Sequence, residues 1–285
     1  MKEIIITNFT DPVCVWCWGT EPVLRALETR YPGDIEVRYV MGGLVKDISD
    51  FDDPANGIGG DISLINGQVA SHWQESADRH GMPIMTENFR LFSTEYPSTY
   101  PLNIACKAAQ LASPGLANRY LRRLREATLT QAQLTNRQPV LDSLAREVGI
   151  DMTAFEQALR DGSAKRAFQT DLGLGQALGV GAFPTFLVKS AQARQILMRG
   201  FNTRQDFERV IAQLTDGELK PLASAPEEEV LMWLLNIHGS LAREEVFQAF
   251  DFDSREEADR FLQPLIDKGR LVKAQAGTSY LVRVG

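Results

Sequence analysis

The sequence predicts an α/β fold that carries a helical insertion and ends in a small separate domain. Three observations predict it: a strand–helix–strand pattern at the start, about a hundred residues of helical pattern without strands in the middle, and strand patterns that return near residue 185. The 285 residues, 44% of them hydrophobic and 24% charged, supply enough apolar material for one large domain or two smaller ones.

A βαβ unit opens the chain. Residues 4–6 are three isoleucines and predict a strand, residues 22–30 predict a helix, and residues 35–40 predict a second strand because apolar and polar residues alternate there. Strands return at residues 185–188 and 195–198, followed by a closing helix at 204–215.

The helical patterns between these strands define the insertion. They cover residues 101–112, 116–128, 139–147 and 153–161. We therefore assign residues 1–62 and 166–217 to one α/β domain and residues 63–165 to an inserted helical domain.

The last sixty residues predict a domain of their own. Residues 218–225 form a linker with Pro221, and residues 226–285 predict three helices and a hairpin, which resemble a winged helix. This segment has seven Lys and Arg but eleven Asp and Glu, so DNA binding is disfavoured. A protein partner or a homodimer contact fits its charge better.

Cys14-Val15-Trp16-Cys17 places two thiols at redox-pair spacing just after the first strand. Because a helix follows, Cys14 meets unsatisfied backbone N–H groups and the positive end of the helix dipole, which favour a thiolate nucleophile. Cys17, one turn on, can attack Cys14 and release a mixed-disulfide partner. The spacing therefore predicts both attack and resolution.

Other interpretations of the cysteines remain open. Cys-x-x-Cys is also half of a zinc site, but the remaining candidates Cys106, His72, His80 and His238 have no paired ligand spacing, so we predict no metal. Cys106 lies in an apolar helical pattern and is interpreted as a small buried residue. His72 and His80 are interpreted as surface or cap residues.

Charge and hydropathy limit the function classes. A net charge of −7 argues against general binding to nucleic acid or anionic membranes. The apolar run at residues 4–6 is too short for a signal peptide, and no stretch has the length of a membrane span. We therefore expect a cytoplasmic protein, in which thiols are kept reduced and a Cys-x-x-Cys is catalytic or regulatory.

Pro184 and Asp11 are the other candidate site residues. Pro184 immediately precedes an apolar run and suits the first position of a strand, where its missing N–H costs no ladder bond. Asp11 either takes the proton of Cys17 during resolution or shapes the Asp-Pro turn. The hydrophobic pair Val15 and Trp16, with Trp18, is expected to contact substrate, although Trp18 suits the core equally well.

These motifs together resemble the DsbA-like branch of the thioredoxin superfamily, and especially the FrnE-like, predicted cytoplasmic protein-disulfide isomerases of bacteria. The resemblance covers roughly residues 1–217. It implies that Cys14 is the exposed nucleophile, that Cys17 resolves, and that Pro184 is cis and faces the dithiol with the backbone of Phe183 exposed for substrate pairing. Secreted DsbA proteins carry an export signal and a histidine between the cysteines, and this chain has neither.

The favoured function is a thiol–disulfide oxidoreductase or isomerase that acts on protein or small-molecule disulfides and needs no cofactor beyond its own Cys14–Cys17 disulfide. A glutathione-dependent enzyme similar to kappa-class transferases, with glutathione as co-substrate, is a second hypothesis, which the intact Cys17 disfavours. A redox-sensing adaptor that docks partners through its C-terminal domain is the third.

Overall fold

The computed structural model describes residues 2–285 and has a four-stranded mixed sheet at its centre. Its strands are β1 (Ile4–Thr10), β2 (Ile35–Met41), β3 (Thr185–Ser190) and β4 (Gln195–Arg199), in the order β2-β1-β3-β4. β1 is parallel to β2 and antiparallel to β3, and β3 is antiparallel to β4. The predicted α/β fold class is confirmed.

Two helices follow β1 where the sequence predicted one. A short α1 (Val15–Gly19) begins directly after Cys14, and α2 (Glu21–Arg30) continues the chain after a break at Thr20. One face of the sheet packs against α2 and the closing helix α9 (Arg204–Leu214). Fully buried apolar side chains, including Ile4, Leu24 and Phe186, form that layer of the core.

Six α-helices separate β2 from β3. They are α3 (Ile62–His80), α4 (Tyr100–Ala112), α5 (Ala117–Leu129), α6 (Gln138–Val148), α7 (Met152–Arg160) and α8 (Ser163–Ala177). α8 crosses the boundary that we expected at residue 165. Its Asp171 accepts a hydrogen bond from the backbone N–H of Met41 (2.8 Å) and pairs with Lys107 (2.9 Å), so this helix joins the sheet to the other helices.

The C-terminal part contains three helices and three strands: α10 (Glu228–His238), β5 (Leu241–Ala242), α11 (Arg243–Ala249), α12 (Arg255–Asp267), β6 (Leu271–Ala276) and β7 (Ser279–Val284). The second of these helices begins only at Arg243, because Leu241 and Ala242 pair with β7. This part has its own apolar core, centred on Leu231, Leu235 and Leu262. Its assignment as a winged helix stays a prediction.

Buried charges join the C-terminal part to α5. Arg122 forms two hydrogen bonds with Glu245 (2.8 and 2.7 Å) and pairs with Glu126 (2.9 Å), and Glu126 also accepts hydrogen bonds from Arg283 (2.9 Å) and the hydroxyl of Ser240. At the same interface, the turn at Gly277 touches the carbonyl of Ile84 so closely that any Cβ would overlap it. Within residues 2–285, no helix is long and apolar enough to span a membrane.

Candidate active site

Cys14 and Cys17 lie at the start of α1, beside the end of β1. Cys14 is the N-cap residue, and its sulfur accepts a hydrogen bond from the backbone N–H of Cys17 at 3.2 Å. Cys14 is 5% exposed whereas Cys17 is fully buried, and neither forms a disulfide. An approaching disulfide can therefore reach Cys14 but not Cys17.

The pair stabilises one negative charge. Burial opposes ionisation of Cys17, but the hydrogen bond with Cys14, the charge of Arg125 and the hydroxyl of Thr10 outweigh it and lower the pKa of Cys17 below 9.0. Burial and the interactions with Cys17 hold the pKa of Cys14 well above its ordinary value. The two thiols together therefore release one proton more easily than an isolated cysteine does, and they retain the second proton.

Arg125 is a site residue that sequence reasoning missed. Its buried guanidinium donates hydrogen bonds to the hydroxyl of Thr10 and to the carboxylate of Glu21. Since Thr10 in turn bonds to Cys17, this cation is one side chain away from the resolving thiol. The sequence carried only a weak indication, an arginine on the same helix as the buried Tyr120 and Leu124.

Asp11 is fully buried and anchors the turn before Cys14. Its carboxylate accepts hydrogen bonds from the backbone N–H groups of Val13 (2.8 Å) and Leu44 (2.7 Å) and from the side chains of Thr99 (3.0 Å) and Asn103 (2.7 Å). Burial raises its pKa even though these four hydrogen bonds oppose the change. The carboxylate thus ties three separate segments together beside the dithiol.

The segment before β3 faces the dithiol from the other side. The Phe183–Pro184 peptide bond is cis, and the carbonyl oxygen of Phe183 lies 3.6 Å from the sulfur of Cys14. Pro184 is buried and Phe183 is half-buried. The structure therefore brings Cys14, Cys17, Phe183 and Pro184 together.

The two tryptophans of the motif differ in position. Trp16 is half-buried, and its ring packs against those of Phe201 (5.7 Å between centroids) and His80 (5.8 Å). Trp18 is fully buried, donates a hydrogen bond to the carbonyl of Pro83 (2.9 Å) and lies under Arg122. The prediction that Trp18 contacts substrate is therefore wrong, because the phase of the short helix directs it into the core.

Two of the remaining candidates, Cys106 and His80, are buried. Cys106 is buried, and burial raises the pKa of its thiol. His80 is buried under α1 rather than exposed, and burial lowers its pKa to about 4, so its ring is neutral. Within residues 2–285, no three His, Cys, Asp or Glu side chains are grouped to hold a metal ion.

A cavity of about 610 Å³ opens beside Cys14. One wall consists of residues 42–45 and another of residues 180–183, while Val15 and Trp16 border it next to the nucleophile. Val15 is nearly buried but still lines the cavity. Volumes of this size hold small molecules or a few residues of a peptide.

Comparisons with known proteins place the chain in a family. Residues 8–208 match the sequence model of a protein family described as thioredoxin. The ClpXP adapter protein SpxH of Shouchella clausii (strain KSM-K16) is 28% identical over 265 residues, which cover 93% of this chain and 83% of that protein.

Two solved structures share the fold. The cytosolic disulfide reductase DsbM of Pseudomonas aeruginosa superposes with a TM-score of 0.54 at 23% identity, covering 75% of this chain and 94% of that one. A probable DsbA oxidoreductase of Streptomyces coelicolor has a TM-score of 0.56 at 19% identity, covering 79% and 97%. The predicted thioredoxin-like fold is confirmed, and the chain belongs to the thioredoxin family whose model matches residues 8–208.

Proposed function

We propose that this protein is a thiol–disulfide oxidoreductase that acts on disulfides of polypeptides. The observation that carries the proposal is the position of Cys14. This residue caps α1, its sulfur accepts a hydrogen bond from the backbone N–H of Cys17, and it borders a cavity large enough for a peptide segment. A nucleophilic thiol, a buried resolving thiol and a substrate cavity are what disulfide exchange requires.

The exchange proceeds in two balanced steps. The Cys14 thiolate attacks one sulfur of the substrate disulfide, the S–S bond breaks, and the departing substrate sulfur takes up a proton. Cys17, as thiolate, then attacks the sulfur of Cys14 and releases the second substrate thiol. Two electrons pass to the substrate, and a dithiol reductant restores the protein; the reverse sequence oxidises a substrate.

The neighbouring groups support these steps. The N–H of Cys17 and the start of α1 stabilise the thiolate of Cys14 when the shared proton moves to Cys17. Arg125 and Thr10 favour the thiolate of Cys17 during resolution. The carbonyl of Phe183, close to the sulfur of Cys14, is positioned to accept a hydrogen bond from an extended substrate backbone.

Single-turnover reduction of a peptide disulfide tests the proposal. We expect the reduced protein to release two peptide thiols, Cys14→Ser to release none, and Cys17→Ser to stop at a mixed disulfide. Sustained turnover by Cys17→Ser with glutathione would contradict a dithiol mechanism and favour the glutathione-dependent alternative. Equilibration of Cys14 and Cys17 in glutathione buffers then gives the reduction potential, which separates a reductase near −270 mV from disulfide-forming enzymes at higher values.

A second candidate function is that of a protease adaptor. The similarity to an SpxH protein, which is named a ClpXP adapter, spans 93% of the chain and so includes most of residues 226–285. On α10, Trp233 (42% exposed) and Ile237 (41% exposed) lie one turn apart and give this part of the chain an accessible apolar surface for a protein partner. A cytoplasmic location stays a prediction.

The adaptor function predicts an effect on proteolysis that is independent of disulfide exchange. We expect the full chain to accelerate degradation of a bound partner by ClpXP, and the double variant Trp233→Ala, Ile237→Ala to lose this effect while it keeps peptide-disulfide reduction. Unchanged degradation with and without the protein, measured across candidate partners of the protease, would contradict this function.

A further inference from the structure

The cavity beside Cys14 is apolar inside and acidic at one edge. Buried aromatic side chains of Trp73 and Phe92 line its interior. Asp52 and Asp53 stand at its edge, the first exposed and the second half-buried. A ligand that enters therefore meets both apolar surface and two carboxylates.

In the part of the chain that the structure describes, no cationic side chain lies beside these carboxylates within the cavity. Among the residues of 2–285 that line it, none is Lys or Arg. The ring of His72 also lines the cavity, but burial lowers its pKa below 6.5, so it is neutral at pH 7. Among residues 2–285, the side chain that donates a hydrogen bond to Asp53 is the neutral Asn56 (2.7 Å).

The surrounding loop strengthens this negative charge. Residues 46–61 contain five Asp and a single Lys, and the segment passes along the mouth of the cavity. Clefts lined by one sign of charge raise the local concentration of oppositely charged ligands and repel ligands of the same sign. The field at the mouth therefore favours cationic over anionic substrates.

Glutathione disulfide is a poor match to such a cavity. Each of its halves carries two carboxylates and one ammonium group, and carboxylates are bound in proteins by Arg, Lys or clustered backbone N–H groups. The cavity offers no Arg or Lys for them among residues 2–285. A peptide with apolar and basic residues next to its cysteine matches both the aromatic interior and the acidic edge.

We infer that the substrates of Cys14 are polypeptide disulfides in which the reacting cysteine is flanked by apolar and positively charged residues, and that glutathione disulfide is discriminated against. This inference rests on the proposed oxidoreductase function and adds the substrate class. Asp52 and Asp53 are the residues that determine the charge preference. They do not touch the reacting sulfurs and act through the charge of the cavity edge.

Three disulfide probes test the inference in single-turnover reactions with excess reduced protein. Two are symmetric dimers of a short peptide with one central cysteine, flanked by Leu and Lys in the first and by Leu and Glu in the second; the third is glutathione disulfide. The reaction transfers two electrons, so each probe yields two thiols as Cys14 and Cys17 form their disulfide. Acid quenching and mass spectrometry give the rates.

We expect the Lys peptide to react about tenfold faster than the Glu peptide at low ionic strength, and glutathione disulfide no faster than the Glu peptide. The ratio should fall to about twofold in the variant Asp52→Asn, Asp53→Asn and in 1 M NaCl, where the screening length is about 3 Å. The matched control Glu227→Gln, Glu229→Gln removes two exposed carboxylates from the C-terminal part and should keep the full ratio.

The outcomes separate the two proposals. Equal rates for the two peptides, a preference that persists in the Asp52 and Asp53 variant, or fastest reaction with glutathione disulfide would overturn the substrate class while leaving oxidoreductase activity in place. If no probe reacts although Cys14 is still alkylated by iodoacetamide, the oxidoreductase function itself is wrong.

Discussion

Arg122 and Glu245 form a buried, two-pronged ion pair between α5 and the C-terminal part of the chain, with N–O distances of 2.8 and 2.7 Å. Their side chains are 4% and 0% exposed. Burying two charges costs hydration energy, which such a pair recovers only when its hydrogen bonds are complete. Removing the Glu245 carboxylate takes two hydrogen bonds from the buried guanidinium of Arg122 and leaves Glu126 as a partner, so the pair makes the position of the C-terminal part specific.

We expect Glu245→Gln to lower the free energy of unfolding by about 3 kcal/mol and to loosen the C-terminal part. Urea denaturation measures the first effect, and hydrogen exchange of residues 228–284 measures the second. The control is Arg270→Ala, which breaks a pair with Glu228 at the surface and should cost less than about 1 kcal/mol. Equal effects of the two variants would contradict a special role for the buried pair.

The same network predicts a loss of stability in acid. Burial alone would raise the pKa of Glu126, but the charge of Arg122, the hydroxyl of Ser240 and the charge of Arg283 hold it below 4.5. Since the folded state binds this proton more weakly than the unfolded state, the stabilisation is complete above about pH 4.5 and disappears as the pH falls through the lower, folded pKa.

Measurement of the urea midpoint between about pH 5 and pH 3 checks this linkage. We expect the native protein to lose stability over that range more steeply than Glu126→Gln, which is less stable at pH 7 but has no carboxylate to protonate at this position. Parallel pH profiles for the two proteins would show that Glu126 does not contribute.

Arg125 connects the buried charges around Arg122 to the dithiol. On one side it contacts Glu21, which lies 4.0 Å from Arg122, and on the other it contacts Thr10, next to Cys17. Its charge favours the thiolate form of the pair. In Arg125→Met we therefore expect the pH profile of alkylation by iodoacetamide to shift to higher pH and the alkylation rate at pH 7 to fall roughly fivefold. Arg123→Met, on the same helix but paired with Glu147, should leave the profile unchanged.

The sequence was sufficient for the parts of the site that are local in the chain. The spacing of Cys14 and Cys17 identified two residues that the structure places together. Pro184 is far from them in the chain, and its place beside the dithiol followed from the family resemblance and not from a local pattern. Arg125 could not be predicted in this way, because more than a hundred residues and several helix packing angles separate it from the dithiol. Its approach to Thr10 depends on how α5 packs against the sheet.

The two tryptophans show a second limit of prediction from the sequence. Trp16 and Trp18 are two residues apart in a helix of five, so they lie about 200° apart around its axis and only one can face outward. Composition does not say which one. The hydrogen bond from Trp18 to Pro83 and the packing of Arg122 over its ring show that Trp18 faces inward. Both partners belong to the inserted residues 63–165, far from Trp18 in the sequence.

Asp11 is expected to act mainly as an anchor, because its four hydrogen bonds hold the turn, the loop at Leu44 and α4 together. In Asp11→Asn an amide N–H₂ faces one of these donors, so we expect a loss of about 1–3 kcal/mol in unfolding free energy. The negative charge of Asp11 also raises the pKa of Cys14, so the variant should be alkylated faster at pH 7.

A different result would assign Asp11 to proton transfer. If Asp11→Asn keeps its stability but resolves the mixed disulfide more slowly, the carboxylate takes the proton of Cys17, as a raised pKa would permit. Trapping the mixed disulfide by rapid acid quenching measures that step separately from attack.

Gly42 tests whether the position of Phe183 matters for exchange. A Cβ at residue 42 would lie 2.1 Å from the ring of Phe183, so Gly42→Ala must displace that ring, which borders Cys14. We expect about a tenfold fall in the rate of peptide-disulfide reduction, because substrate would no longer be held in line with the sulfur. The control Gly181→Ala lies in the cavity wall that contains Phe183, where a Cβ meets no atom within 4 Å, and should retain the native rate. If both alanine variants react at the native rate, the ring of Phe183 has no part in positioning the substrate.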